Sequence, residues 1–213
     1  MKNTRPDPKQ FSDLWHRIGG KTDPHALFSA LAGRYSEPHR AYHTLEHVGH
    51  CLKELDPVRH LAEQADEIEI ALWFHDAVYD TRSGDNEEKS ARWASDELKA
   101  AGLPGSRCRR VKELILATKH AASPVSSDAC IMADIDLSVL GQPAAQFEAY
   151  GQQIRTEYNR VPEDIFRQAR LNILREFLGR ERIYATEYFR ERYEASARKN
   201  LEQAVRHLCG TSA

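Results

Sequence analysis

Apolar residues recur at helical spacing along almost the whole chain, and nowhere do they alternate over the length of a strand. That pattern restricts the chain to helix packed on helix. Phe11, Leu14, Trp15 and Ile18 form a first stripe, closed by Gly19-Gly20. Asp23-Pro24 reads as an N-cap followed by proline at the first helical position, opening a helix that carries Leu27, Phe28, Leu31 and Tyr35. Ser36-Glu37-Pro38 breaks it. Leu45, Val48, Cys51, Leu52 and Leu55 mark a third helix, ended by Asp56-Pro57, which is also expected to cap the next. Asp85 or Asn86 is placed to cap a helix through Ala91, Ala94 and Leu98 that stops at Gly102, and Ser106 another through Val111, Leu114, Ile115 and Thr118. Asp128 is expected to cap a helix through Ile131, Ile135 and Leu137. Longer helices follow at about 143–160 and 162–178, and a charged one at about 187–208. With no strand, repeat or linker, the expectation is an all-α, single-domain helical bundle over residues 1–213, which is long enough for one core.

A net charge of −2 argues against nucleic acid or an acidic membrane surface as a general partner. The longest apolar runs fall well short of the roughly 20 residues a membrane helix needs. The start, Met1 to Pro8, has no hydrophobic segment, so no secretory signal is expected. Cys51, Cys108, Cys130 and Cys209 are scattered and form no Cys-x-x-Cys, which fits free thiols in a cytoplasmic protein.

Inside the most apolar stretch, Ala71 to Asp80, stands an adjacent His75-Asp76 pair. Ile68, Ala71, Leu72, His75 and Val78 fall on one stripe if the helix runs through. A buried carboxylate is costly unless paired, and a buried imidazole needs partners for its nitrogens. Hydrogen bonds to neighbouring helices would meet both needs; a divalent ion would also meet both. A second polar group lies at Arg40-Ala41-Tyr42-His43-Thr44-Leu45-Glu46-His47, where His43 and His47 share a face if the helix starts by His43. His39, His50 and His60 lack such context and read as surface or packing residues. A third group places Asp134 and Asp136 within the apolar run from Ile131 to Leu140, so at least one carboxylate is expected to point inward. Helical bundles build metal sites from side chains on facing helices. Two imidazoles and two carboxylates suit manganese, iron, cobalt, nickel or magnesium, and no thiolate is expected among the ligands.

These pieces, in order, resemble the HD-domain superfamily of metal-dependent phosphohydrolases, whose signature is H…HD…D on a helical core. The resemblance spans about Tyr35 to Leu208, with a metal-binding core at about 35–160 and C-terminal helices at about 162–208. It rests on Tyr42-His43-x-x-x-His47, Trp73-Phe74-His75-Asp76-x-x-Tyr79-Asp80, Asp85-Asn86-Glu87-x-x-Ser90 and Asp136-Leu137-Ser138-x-Leu140-Gly141. Ile154-Arg155-x-Glu157-Tyr158 and Ala197-Arg198-x-Asn200-Leu201 add to it.

The resemblance implies His47, His75, Asp76 and Asp136 as metal ligands, with Asp136 preferred to Asp134 because Asp-Leu-Ser also marks the last ligand of cyclic-nucleotide phosphodiesterases. Their Tyr-His-Asn-x-x-His motif is similar to Tyr42 to His47, which implies His43 as proton donor to the leaving oxygen; Thr44 departs from the usual Asn. Asp76 would also orient the attacking water. Arg155, Lys119 and His120 are candidates to hold phosphate oxygens. His120 is also a candidate to hold a second ion, as in HD proteins with two metals, or to cap the C-terminus of its helix, and Asp80 and Glu87 are candidates for a second ion or for an outer layer around the first. The expected activity is cleavage of a phosphoester in a nucleotide or other small phosphorylated compound. Di-iron oxygenation on the same fold, or metal or nucleotide binding without catalysis, are the alternatives.

Overall fold

A computed structural model describes residues 5–122 and 124–210; Met1 to Thr4 of the N-terminal stretch lie outside the described residues. Among the described residues the regular structure is entirely helical, with no strand, and no helix is long and apolar enough to cross a membrane. The chain divides into two compact units, Met1–Asp136 and Leu137–Ala213.

The first unit contains α1 (Pro8–Arg17), α2 (Pro24–Tyr35), α3 (Leu45–Leu55), α4 (Ala65–Phe74), α5 (Asn86–Ala100), α6 (Gly105–Ala117) and α7 (Ser127–Leu137) up to the boundary. Asp7 and Asp23 cap α1 and α2 through their side chains, with Pro8 and Pro24 at the first helical position, and Thr44 caps α3. α4 is the pivot. Every residue from Glu67 to Phe74 is buried, so it has no solvent face. Its two buried acids are each held by two arginines: Glu67 by Arg107 and Arg110, Glu69 by Arg17 and Arg59. Paired in this way, the carboxylates escape the cost of lone buried charge. Phe11 meets Trp73 edge-on at 5.1 Å, tying α1 to the same helix.

Several boundaries differ from expectation, each for a local reason. Asp56-Pro57 opens a 3-10 helix, Asp56–Leu61, and α4 starts only at Ala65. Asp128 is not a cap for its own helix. Its carboxylate accepts the Glu63 and Gln64 N–H groups at 2.8 and 2.9 Å, closing the start of α4 from across the unit. Ser106 lies inside the first turn of α6, behind Pro104 at the cap.

The largest difference is at α4. The helix ends at Phe74, with His75 as its C-cap, and does not run on through Val78. The carbonyls that would have continued it are taken by side chains. Tyr35 donates to Trp73 O at 3.0 Å, and Arg40 donates to Asp76 O at 2.7 Å and Ala77 O at 3.2 Å. Ser90 Oγ accepts from Val78 N at 3.0 Å, while the Asn86 carboxamide pairs with both N–H and C=O of Asp80 at 3.0 Å. The turn after the helix is therefore pinned by residues from two other segments, a tertiary override of local periodicity.

The second unit contains a 3-10 turn, Ser138–Gly141, then α8 (Ala144–Glu157), α9 (Glu163–Gly179) and α10 (Glu187–Leu208). A Cβ at Gly141 would run into the Tyr193 side chain, so this crossing requires glycine. Asn200 donates to Leu140 O and Gln142 O at 2.9 and 2.8 Å, fastening α10 to the same turn.

Candidate metal centre

Four segments of the first unit converge on one point. α3 brings His47 by its inward face, the end of α4 brings His75, the pinned turn brings Asp76, and the last turn of α7 brings Asp136. His47 is 4% and His75 1% exposed, while both carboxylates are partly open to solvent. The Nε2 atoms of the two histidines lie 3.0 Å apart. Asp76 Oδ2 is 3.4 Å from His47 Nε2 and 3.1 Å from His75 Nε2; Asp136 Oδ1 is 3.3 and 3.6 Å from the same two nitrogens. Ligands about 2.1 Å from one ion are about 3.0–3.4 Å from each other, the spacing found here for all but Asp136 Oδ1 and His75 Nε2, which are 3.6 Å apart.

The histidine tautomer is prepared as well. His75 Nδ1 lies 2.8 Å from Leu72 O, a carbonyl that can only accept, so the ring proton sits on Nδ1 and Nε2 presents a lone pair. Asp136 Oδ2 lies 2.8 Å from His120 Nε2. His120 follows α6 with φ 53°, in the left-handed region unusual for a residue with a side chain.

Electrostatically the group is self-neutralising. Burial by itself pushes His47 and His75 down, but Cys51, Tyr42, Asp136 and Asp76 outweigh it at His47, and the two carboxylates outweigh it at His75, so both stand well above the usual histidine value. Burial likewise pushes Asp76 and Asp136 up. For Asp76 the charge of His75, with His43 and His47, reverses this, and for Asp136 the hydrogen bonds from His120, His47 and His75 do; both end well below the usual carboxylate range.

Cys51 was missed by the sequence reading, which expected no thiol here. It sits one turn after His47 on α3, and His47, Cys51, His75 and Asp136 offer ligand atoms all within 4.8 Å of one another. This buried group could hold a metal ion. The signal was present as His47-x-x-x-Cys51 at i, i+4 spacing. Its Sγ is nearly equidistant from the two ring nitrogens of His47, at 3.8 and 3.7 Å, so it lies against the ring and not along the Nε2 lone pair.

The other expected site residues are placed as follows. His43 precedes the Thr44 cap, so it is not on the helix with His47; its ring lies 6.0 Å from that of His47 and stacks on Tyr79 at 4.1 Å. Arg40, whose role the sequence reading did not assign, has a side chain closed to solvent and donates to His43 O at 3.1 Å as well as to Asp76 O and Ala77 O. One guanidinium thus fixes both the His43 segment and the His-Asp turn. Lys119 pairs with Glu88 at a half-exposed edge. Asp80 pairs with Arg82 in the loop. Glu87 is pushed up by burial, and the nearby charge of Asp76 adds to this. Asp134 is buried but is not one of the converging donors. Arg155 lies in the second unit and closes the α8–α9 turn, donating to Glu163 at 2.8 Å, Tyr158 O at 2.6 Å and Val161 O at 3.2 Å. No family model, curated protein or solved structure significantly matches this chain.

Proposed function

We propose that the protein is a metal-dependent phosphohydrolase acting on a nucleotide or another small phosphorylated compound, with His47, His75, Asp76 and Asp136 as ligands. The observation that carries this reading is the 3.0–3.6 Å spacing of two imidazole nitrogens and two carboxylate oxygens, one wall of which opens to solvent. Asp76 is preferred to Cys51 because its oxygen faces both Nε2 lone pairs. The resemblance to the HD superfamily supplies the reaction class. A divalent ion held by these residues supplies Lewis-acid polarisation of a phosphoryl group and makes water acidic enough to react near neutral pH.

The chain's own residues do the rest. Asp76, at the open edge of the group, accepts a hydrogen bond from the attacking water and orients it. As the water oxygen, having given one proton up to bulk solvent, bonds to phosphorus and the ester P–O bond breaks, His43 in its protonated form gives its proton to the leaving oxygen. Stacking on Tyr79 and the Arg40 clamp on its backbone hold His43 in place for that transfer. His120 steadies Asp136 from outside, the part that hydrogen-bonded partners of ligands play.

The test is phosphate or nucleoside release from a broad nucleotide panel by the purified chain with manganese, with chelator, and with Asp76→Ala and His43→Gln in parallel. The expected result is turnover only with metal, abolished by Asp76→Ala, and reduced by about 100-fold or more in kcat by His43→Gln with metal content unchanged. Turnover that survives the chelator or the Asp76 variant overturns the reading, as does stoichiometric metal without hydrolysis of any phosphoester.

A further inference from the structure

The second unit contains a cavity of about 520 Å³, lined from α8, α9 and α10. Ligand pockets for small organic molecules run from about 300 to 1,000 Å³. Phe147, Phe166 and Leu174 give it apolar wall, and Glu148, Gln152, Gln203 and His207 line it as well. Three further features bear on what it could hold, and none of them concerns the metal centre or depends on the hydrolase reading.

The first is Gly151, in the middle of α8 and on the cavity wall. Glycine in a helix interior costs about 1 kcal/mol relative to alanine. Nothing in the backbone requires it, since the positive-φ glycines are Gly19, Gly102 and Gly210, and a Cβ at 151 would meet nothing within 4 Å. The missing side chain leaves room in the cavity.

The second is Asn200, only 6% exposed. Its carboxamide nitrogen is used on Leu140 O and Gln142 O, at 2.9 and 2.8 Å. The carboxamide oxygen is the group left to serve the cavity that Asn200 lines, and an oxygen can only accept.

The third is Arg170. It stacks over Tyr150 at 4.9 Å and reaches the Tyr150 hydroxyl at 3.3 Å. Among the described residues no carboxylate is within ion-pair reach of it. Arg155, which lines the same cavity, is by contrast already neutralised by Glu163. The cavity thus offers apolar wall, an acceptor on a largely buried asparagine and, in Arg170, a cation held by Tyr150 with no carboxylate paired to it.

We infer that this cavity is a binding site for a small flat organic anion carrying a ring system, an N–H donor on its edge and a single anionic group. The rings lie against Phe147 and Phe166, the donor bonds the Asn200 oxygen, and the anion meets Arg170. The Ile154-Arg155 and Arg198-x-Asn200 motifs, which the metal chemistry does not use, each contribute a residue to this cavity.

Anilinonaphthalene sulfonate has each of these features and becomes fluorescent on transfer to an apolar site, so it is the probe. It is titrated into the folded full chain with chelator present, which removes any metal-held sulfonate. Gly151→Trp is the principal variant, since it fills the cavity, removes the helix-interior glycine and leaves Asn200 and Arg170 untouched. The expected result is saturable binding of one dye per chain, weakened more than about tenfold by Gly151→Trp and about tenfold by Arg170→Gln, with far-ultraviolet circular dichroism and the cooperativity of unfolding unchanged in both. Uncharged phenylnaphthylamine, which lacks the sulfonate, is expected to bind the wild type about tenfold more weakly and to be indifferent to Arg170→Gln. No saturable binding, or binding that Gly151→Trp leaves intact, overturns the site. Equal affinity for charged and uncharged dyes overturns the anionic ligand class.

Discussion

The Nε2 atoms of His47 and His75 face each other at 3.0 Å, and the Nδ1 proton of His75 is committed to the Leu72 carbonyl. Two lone pairs cannot share that separation comfortably. Either a proton or a cation must lie between them, and the carboxylates of Asp76 and Asp136 flank the same point. In the metal-free chain burial opposes the protonated imidazoles, but Cys51 and Tyr42 at His47 and the flanking carboxylates at both favour them, so both histidines stand well above their usual pKa. A divalent ion would replace those protons.

The ligand set follows from this geometry. Asp136→Asn and His75→Ala are expected to lose stoichiometric manganese or cobalt, whereas Asp134→Asn is expected to keep it, because Asp134 is outside the converging donors. Cys51→Ala is expected to retain metal, with cobalt spectra of the wild type showing no sulfur-to-metal charge-transfer band. Metal content after desalting, read by elemental analysis, checks the first set. A charge-transfer band that vanishes in Cys51→Ala would put the thiol in the coordination sphere.

Arg40 is expected to matter more than an ordinary surface arginine. Its side chain is closed to solvent, and it serves three backbone carbonyls, with Glu37 at 3.1 Å as its counter-charge. Each buried acceptor left without a donor costs about 1–3 kcal/mol, so Arg40→Ala is expected to lose about 3 kcal/mol. Lys cannot reproduce the planar fork and should recover only part of that. Because the clamp sets both His43 and the Asp76 turn, metal affinity in Arg40→Lys should fall by about tenfold or more. Urea unfolding and metal titration measure the two effects; a loss below about 0.5 kcal/mol would mean that water replaces the guanidinium.

The helices were legible because their signals are local: Asp23 caps α2 as its side chain dictates, and apolar stripes mark the buried faces of α1, α2 and α3, although the caps Asp7 and Thr44 were not read as such. The end of α4 was not, because the groups that stop it come from Tyr35, Arg40, Asn86 and Ser90, distant in sequence. Asp128 misled for the same reason, its partners being Glu63 and Gln64. At the site, His47, His75 and Asp76 stood out as polar residues in apolar runs, whereas Asp134 and Asp136 stood out alike and only the family resemblance preferred Asp136. Cys51 did not, since a cysteine in an apolar stripe looks like any other core residue.

Stability of the metal-free chain is expected to peak at about pH 6.5. His47 and His75 are raised above the usual 6.5, so their contribution is complete below that value and fades as pH rises through their folded values. Asp76 and Asp136 are lowered below 3.8, so theirs is complete above it and fades as pH falls through the folded values. His50 acts in the opposite sense. Burial, then the charges of His47 and Lys53, push it from 6.5 down to about 4, so between those values the unfolded chain takes up a proton that the folded chain refuses. His50→Leu is therefore expected to flatten the acid limb from about pH 6.5 to 4 and leave the alkaline limb alone. Added manganese should steepen the gain toward high pH, since it competes with protons for the imidazoles. Thermal melts across pH with metal and with chelator test this; identical profiles in the two would show that the ion does not bind at the histidines.

His120 combines a strained backbone with a useful ring. A left-handed conformation costs a residue with a side chain about 1–2 kcal/mol, which glycine does not pay, and φ here is 53°. The ring lies against Asp136 at 2.8 Å. His120→Gly and His120→Ala both delete the ring, but only Ala retains the strain. In chelated protein the glycine variant is expected to be the more stable of the two by about 1 kcal/mol. Metal affinity, by contrast, should fall equally in both, by about tenfold, because each leaves Asp136 without its outer partner. Equal unfolding midpoints would mean that the backbone stores no strain. Undiminished affinity in both would mean that Asp136 is oriented by the group it faces and owes nothing to His120.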